Sequence, residues 1–209
     1  WNVIFLLLGM MVIVGVVKQT GLFDFLAIWA AKRSRGKPFR LMVMLMLITA
    51  IASPVLDNVT IILLVAPVTL VVCDRLRISP QPYLIAEVLA SNIGGAATLI
   101  GDPPNIIIGS RAGLTFNDFL IHMAPAVAII FALFVVFTRV LFRKDLRADE
   151  IYIAEIMALQ EHRAIKDSRL LVRSLVVLNL VILGFALHSV LPVAPSIVAL
   201  LGAGLMLLV

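Results

Sequence analysis

The sequence predicts an all-α polytopic membrane protein containing a re-entrant helical hairpin and a discontinuous helix. Three observations predict it. The mean hydropathy is +1.14, and a soluble domain of 209 residues could not hide that much apolar surface. The charges gather in mostly basic clusters between long charge-free runs, the pattern of cytoplasmic loops. Two polar stretches, PVLDNVT and SNIGGAATLIGDPPNIIIG, interrupt otherwise apolar segments. The net charge of +5 is then a topology signal, not a nucleic-acid footprint. The single cysteine, Cys73, excludes a disulfide scaffold within the chain.

Residues 1–40 form a first unit. Trp1 to Val17 carries no charge, and 17 helical residues rise about 25 Å, the lower limit for a span. Leu22 to Lys32, with Asp24 and Trp29, fits an interfacial helix. KRSRGKPFR (Lys32 to Arg40) holds five cationic residues in nine and predicts a cytoplasmic loop.

Residues 41–75 form the hairpin. Leu41 to Ser53 and Ile61 to Cys73 are apolar runs of 13 residues each. Each reaches only about 20 Å, short of a ~30 Å hydrocarbon core. Basic residues flank both runs, with DRLR (Asp74 to Arg77) after the second. Two short arms, a polar tip and two basic flanks describe a re-entrant hairpin. The alternative is one kinked span of 33 residues from Leu41 to Cys73.

Residues 80–145 hold the discontinuous helix and the span after it. A helix opens at Pro82, breaks near Ile93 and resumes near Asn105; a second, capped by Asn117 or Thr115, runs to about Phe142 and ends in RKDLR. Residues 146–169, which mix both charge signs, predict an amphipathic cytoplasmic linker. Within residues 170–209, Leu170 to Leu191 spans outward and Pro195 to Val209 starts back. A chain that opens on Trp1 and stops inside an apolar run is expected to be part of a larger protein.

An ionisable side chain inside a span costs several kcal/mol unless paired or hydrated, so it marks a functional candidate. Asp57 stands at the expected hairpin tip with Asn58 and Thr60. Asp102 stands in the broken helix with Asn92, Thr98 and Asn105. Glu87 is a third, weaker candidate, expected near the inner interface. Half-helix C-termini coordinate cations and N-termini attract anions. Gly94, Gly95 and Gly101 allow close approach. Pro103 and Pro104 lack amide donors and leave upstream carbonyls without helical partners. These groups predict a shared site whose coupling ion is Na⁺, at Asp57, Asn58 and Asp102, or H⁺ on the same carboxylates. The structural alternative is a helix cap for either Asp and simple packing for the Gly-Pro break. His122, His162 and His188 are scattered and HExxH is absent, so neither a metalloenzyme nor a bound cofactor is expected. Met42, Met44 and Met46 read as packing residues.

LDNVTIILLVAPVT (Leu56 to Thr69), LIAEVLASNIGGAATLIGDPPNIIIGS (Leu84 to Ser110) and NDFL (Asn117 to Leu120) resemble the ion transporter superfamily. The nearest branch holds arsenite-efflux permeases, the melanosomal P protein and NhaD-type sodium/proton antiporters. The resemblance covers roughly residues 1 to 145, and more weakly the rest. It implies two inverted repeats, each with a hairpin and a broken helix, that move elevator-fashion against a scaffold in a homodimer. This chain would hold the transport part of the first repeat and the opening scaffold helices of the second, without the second half of the site. The dicarboxylate branch carries Ser-Asn-Thr at the tip, where this chain reads Asp57-Asn58-Val59. It carries a Gly-Thr-Pro-like turn where this chain reads Gly101-Asp102-Pro103. Both departures add a carboxylate, which repels citrate or succinate unless a cation or proton neutralises it. The resemblance therefore implies ion- or proton-coupled exchange of small inorganic ions or arsenite-type oxyacids. A sodium-coupled di- or tricarboxylate carrier is the alternative within the fold. A passive channel and a non-transporting subunit are the alternatives outside it. The expected setting is the lipid bilayer of the cell (inner) membrane, with several passes.

Overall fold

The computed structural model describes residues 2–35, 37–143, 164–187 and 194–208. They form nine helices and no strand. These are α1 (Asn2–Gln19), α2 (Leu22–Arg33), α3 (Pro38–Ala52), α4 (Asn58–Arg75), α5 (Gln81–Gly95), α6 (Pro103–Ala112), α7 (Phe116–Leu141), α8 (Ser168–Leu187) and α9 (Pro195–Leu207). By length and composition α4, α7 and α8 can cross a membrane, and α1 with α2 makes a fourth span if that pair, bent by 57°, is counted as one. The protein is an all-α polytopic membrane protein. Most of the expected linker (146–163), His162, His188 and the last four residues of the span expected to end at Leu191 lie outside the described residues.

The bend between α1 and α2 is made at Gly21, whose φ of 79° is left-handed. A side chain there would also strike the Ala164 carbonyl oxygen. The Lys166 amide donates to the Thr20 carbonyl at 3.0 Å and closes the same corner. Helix α2 packs on α3 and α4, and it buries Phe23, Ala27, Ala30 and Ala31. On the other flank α1 lies along α9, where Gly9 meets the Ala199 backbone, and α9 receives Val181 of α8 at Gly202. Small residues at such crossings let backbones approach, the usual basis of helix packing in lipid. Asp167 caps α8 by accepting from the Leu170 and Arg169 amides at 3.1 and 2.8 Å. Those bonds hold its carboxyl below the usual range.

The second group is α3, α4 and α5. Tyr83 Oη donates to the Pro38 carbonyl at one end of α5, while Gly94 abuts Ala50 at the other, so α3 and α5 run parallel. The bonds Asn58–Asn92 and Thr69–Glu87 make α4 antiparallel to both. The pair α3–α4 is therefore a helical hairpin laid along α5, its tip at the C-terminal end of α5. Its arms are longer than the apolar runs predict. Arm α3 gains Pro38 at its first turn, a favoured place for proline, and α4 extends through Asn58 and on to Arg75. With 18 residues, α4 is long enough to span.

The described residues of the basic clusters gather at the end of this group opposite the tip. The Arg139 guanidinium lies 5.3 Å from the centre of the Phe39 ring. Lys37, Arg40, Arg139 and Arg143 line one cleft there. Contact between the starts of α3 and α5 brings Asp74 to Arg77 to the same end.

The break between α5 and α6 covers Ala96–Asp102. It is narrower than predicted, because Gly94 and Gly95 stay helical and Pro103 and Pro104 occupy the first turn of α6. Residues 97–101 are buried, as irregular backbone at membrane depth must be. Thr115, not Asn117, caps α7, in a capping box with Asp118; Asn117 instead donates to the Ala186 carbonyl of α8 at 2.8 Å.

Gly94 sets the α3–α5 distance, since an added methyl would collide with the Ala50 carbonyl oxygen. Gly94→Ala is expected to destabilise the protein by about 1–3 kcal/mol. Gly15→Ala, which meets nothing within 4 Å, is expected to leave stability unchanged or slightly raised. Thermal unfolding of the complete protein in detergent checks both.

Candidate functional site

The hairpin tip and the helix break are fastened to each other before any functional group is placed. Ser53 Oγ donates to the Ser91 carbonyl at 2.7 Å, and Thr98 Oγ1 to the Pro54 carbonyl at 2.5 Å. Thr98 Oγ1 also accepts from the Gly101 amide at 3.1 Å. A side chain at Gly95 would sit 2.8 Å from the Gly101 carbonyl oxygen and 3.1 Å from Ser53 Oγ. One at Gly101 would strike the Gly95 carbonyl and lie 2.9 Å from Pro54 Cα. The two glycines are thus back to back, with the tip resting on both.

Across this contact the structure brings together three predicted site residues. Asn92 Nδ2 donates to its own helix at the Val88 carbonyl, 2.8 Å away, which turns its Oδ1 outward. That oxygen accepts from Asn58 Nδ2 at 2.9 Å. The same Nδ2 reaches Asp102 Oδ1 at 3.4 Å. Asn92 is exposed, while Asn58 and Asp102 are half-buried. Beside them Asn58, Val59, Ile62, Leu63, Val88, Ser91 and Asn92 line an open cavity of about 260 Å³.

The two aspartates differ in role. Asp57 is the N-cap of α4: Oδ1 accepts from the Thr60 amide at 2.9 Å and Oδ2 from the Thr60 hydroxyl at 2.6 Å. Asp102 holds the N-cap position of α6 and makes no capping bond. The prolines remove the amides of the first two helical positions, and the third amide is already engaged. A capping carboxylate takes the amide of the second or third helical residue. Here the second is Pro104, which has none, and the third, Asn105, donates its amide to the Asp102 carbonyl at 3.0 Å. The Asp102 side chain is left with Asn58 as its donor, and its Oδ2 has none among the described residues. The charged group acting on it is Asp57.

Thr98 and Asn105 lie elsewhere. Asn105 Nδ2 donates to the Thr98 carbonyl at 3.0 Å and reaches toward the Gly95 carbonyl at 3.5 Å. Asn105 thus ties down carbonyls that proline chemistry alone predicts to be open, while the Thr98 hydroxyl ties down the Pro54 carbonyl of the tip. Ser53 and Ser91 escape a search for ionisable residues. Their signal is slight, a small hydroxyl residue just before Pro54 and another just before Asn92. Glu87 faces the α4–α5 contact. It is buried, and its Oε1 accepts from Thr69 Oγ1 at 2.6 Å across the α4–α5 contact. Apolar neighbours on both helices pull it in. Among the described residues no three His, Cys, Asp or Glu side chains are placed to hold a metal ion.

The full length of the chain, residues 1–209, matches the family model described as "Citrate transporter". The chain belongs to the citrate transporter family. It is 59% identical over 210 residues to an uncharacterized transporter of Mycobacterium tuberculosis, covering 100% of this chain and 48% of that protein. It is 54% identical over 209 residues to a 46 kDa membrane protein of Mycobacterium leprae, of which it covers 49%. The human P protein is 47% identical over 130 residues, 60% of this chain and 16% of that protein. The chain thus spans about half the length of these mycobacterial members and agrees with the superfamily resemblance of its tip and break motifs.

If the Asp57 carboxylate acts as a cap, Asp57→Asn, which can still accept from Thr60, keeps the thermal stability of the complete protein. Asp57→Ala then lowers it by about 1 kcal/mol. Melting curves of the two variants side by side check this.

Proposed function

We propose that the complete protein is a secondary active transporter driven by Na⁺ or H⁺, to which this chain contributes half of the binding site. One observation carries the reading: the Asp102 carboxylate, relieved of capping by Pro104 and facing Asn58 and Asn92. The ends of four helices surround it. Two are N-termini, of α4 and α6, and each already carries its own carboxylate; two are C-termini, of α3 and α5, whose carbonyl ends favour cations. No Lys or Arg lines the cavity beside Asn58 and Asn92. A cation, or a proton on Asp102, is the ligand that such a set accepts.

The hairpin enters and leaves the membrane on the cytoplasmic side, which puts the basic clusters at the foot of α3, α4 and α7 in the cytoplasm. Tip and break, fastened by Ser53, Thr98 and the glycine contacts, move as one body in an elevator-like step. The rest of the protein closes the exposed side of Asn92, and two copies assemble as a dimer in the cell membrane. The cargo is a small inorganic ion or an arsenite-type oxyacid, which two site carboxylates tolerate. The family's description favours a second reading, sodium-coupled carriage of a citrate-type carboxylate. In that case the cation at Asp102 supplies the charge that the carboxylate needs.

Counterflow in proteoliposomes containing the complete protein, screened with Na⁺, Li⁺, arsenite and citrate, tests the reading. A carrier shows trans-stimulation by its own substrate. A channel shows conductance without it, and a structural subunit shows neither. Asp102→Asn is expected to lower ion-dependent flux on the order of tenfold or more. Pro104→Ala is expected to weaken the ion dependence as well, because a new amide at the second helical position can capture the Asp102 carboxylate. Its thermal stability should not fall, which separates it from a misfolded variant.

A further inference from the structure

We propose that Glu87 is a proton-binding site of the transport cycle, separate from the Asp102 half-site and enclosed between the hairpin arm α4 and helix α5. The proposal builds on the transporter reading above. Glu87 is 1% exposed. Its Oε1 accepts from Thr69 Oγ1 at 2.6 Å, and its buried Oε2 has no hydrogen-bond partner among the described residues. Around it stand Cys73 and Val72 of α4 and Tyr83, Ala86 and Ala90 of α5, all buried.

A bare carboxylate in such a slot has one hydroxyl donor to replace its water, and desolvation of an unpaired charge costs several kcal/mol. The slot lacks a countercharge. The Glu87 carboxyl acts electrostatically on the Cys73 thiol of α4, and Cys73 in turn on Tyr83 of α5, and neither of these groups supplies a positive charge. The charged side chains of the other elements packed on this pair are Arg40 of α3, Asp24, Lys32 and Arg33 of α2, and Asp118 and Arg139 of α7, with His122 also titratable there. None of them is among the groups that act on Glu87. A metal cation is a poor occupant, because hard cations are held by several oxygens and the slot offers those of Glu87 and Thr69.

A proton is the occupant that neutralises the group with no further ligand. It comes from water and returns to water, which reaches Oε2 only when the α4–α5 contact loosens. With the tip fastened to the break, the part of α4 beyond the tip is the part that flexes, at Pro67, which lacks a helical amide two residues before Thr69, and that flexing strains this contact as the body moves. That geometry links proton exchange at Glu87 to the state of the site.

The test uses the complete protein in proteoliposomes. Glu87→Gln keeps the shape and the bond to Thr69 but cannot exchange a proton. It is expected to retain substrate counterflow while losing proton-gradient-driven accumulation on the order of tenfold, with a flattened pH profile. Accumulation and a pH profile equal to wild type would overturn the proposal. Absence of counterflow in the wild type would overturn the transporter reading instead, so the two failures are distinguishable. Should Glu87→Gln fail to fold, the wild type answers. A membrane-permeant carbodiimide, which couples to protonated carboxyls in apolar surroundings, is expected to modify Glu87 at acid pH and progressively less as pH rises. No adduct on the Glu87 peptide at any pH would overturn the assignment.

Discussion

The structure depends on one constraint: a helix that stops inside a packed apolar interior leaves backbone groups that need protein partners, each costing several kcal/mol when buried unpaired. Here two such stops occur side by side, the turn after α3 and the break after α5, and each supplies partners for the other. Ser53 serves the Ser91 carbonyl, Thr98 serves the Pro54 carbonyl, and Asn105 serves the Thr98 carbonyl. The glycines at 94, 95 and 101 make the approach close enough for those short side chains to reach. Neither interruption is tenable alone, which explains why the polar residues of two segments some 34 to 44 positions apart meet in one place.

From that contact follows a division between two residues that look equivalent. Asp57 and Asp102 both precede a helix and both stand next to groups that could bind a cation. The helix after Asp57 begins with residues that retain their amides, and the carboxylate is drawn into capping. The helix after Asp102 begins with two prolines, and the amide of its third residue, Asn105, is spent on the Asp102 carbonyl. The third helical residue, Thr60 after Asp57 and Asn105 after Asp102, together with the two prolines, thus decides which carboxylate remains available. The same logic, an acidic group with too few donors, sets Glu87 apart at the other end of the hairpin arm.

Much of this was legible in the residues. Hydropathy gave the all-α membrane class, the polar interruptions located tip and break, and the Asp–Asn pairs pointed to a shared site. The helix ends were less legible, since Asn58, Thr60, Asp74 and Arg75 look like loop residues yet lie in α4. There, backbone bonding outweighs polarity. The roles of Thr98 and Asn105 were hidden because a side chain that serves a carbonyl has the same sequence signature as one that serves a ligand. The partner of Glu87 was hidden because nothing in the α5 pattern reveals Thr69, 18 positions earlier.

The central claim is that Asp102, and not Asp57, is the carboxylate left free for a cation. The most direct measurement is ion-dependent thermal stabilisation of the complete protein in detergent, titrated with Na⁺ at several fixed pH values, for wild type, Asp57→Asn and Asp102→Asn. A ligand that binds only the folded state raises stability by RT ln(1 + [L]/Kd). The account predicts that Asp57→Asn keeps the wild-type dependence on Na⁺ or on pH and that Asp102→Asn abolishes it. Loss in Asp57→Asn with retention in Asp102→Asn would contradict it.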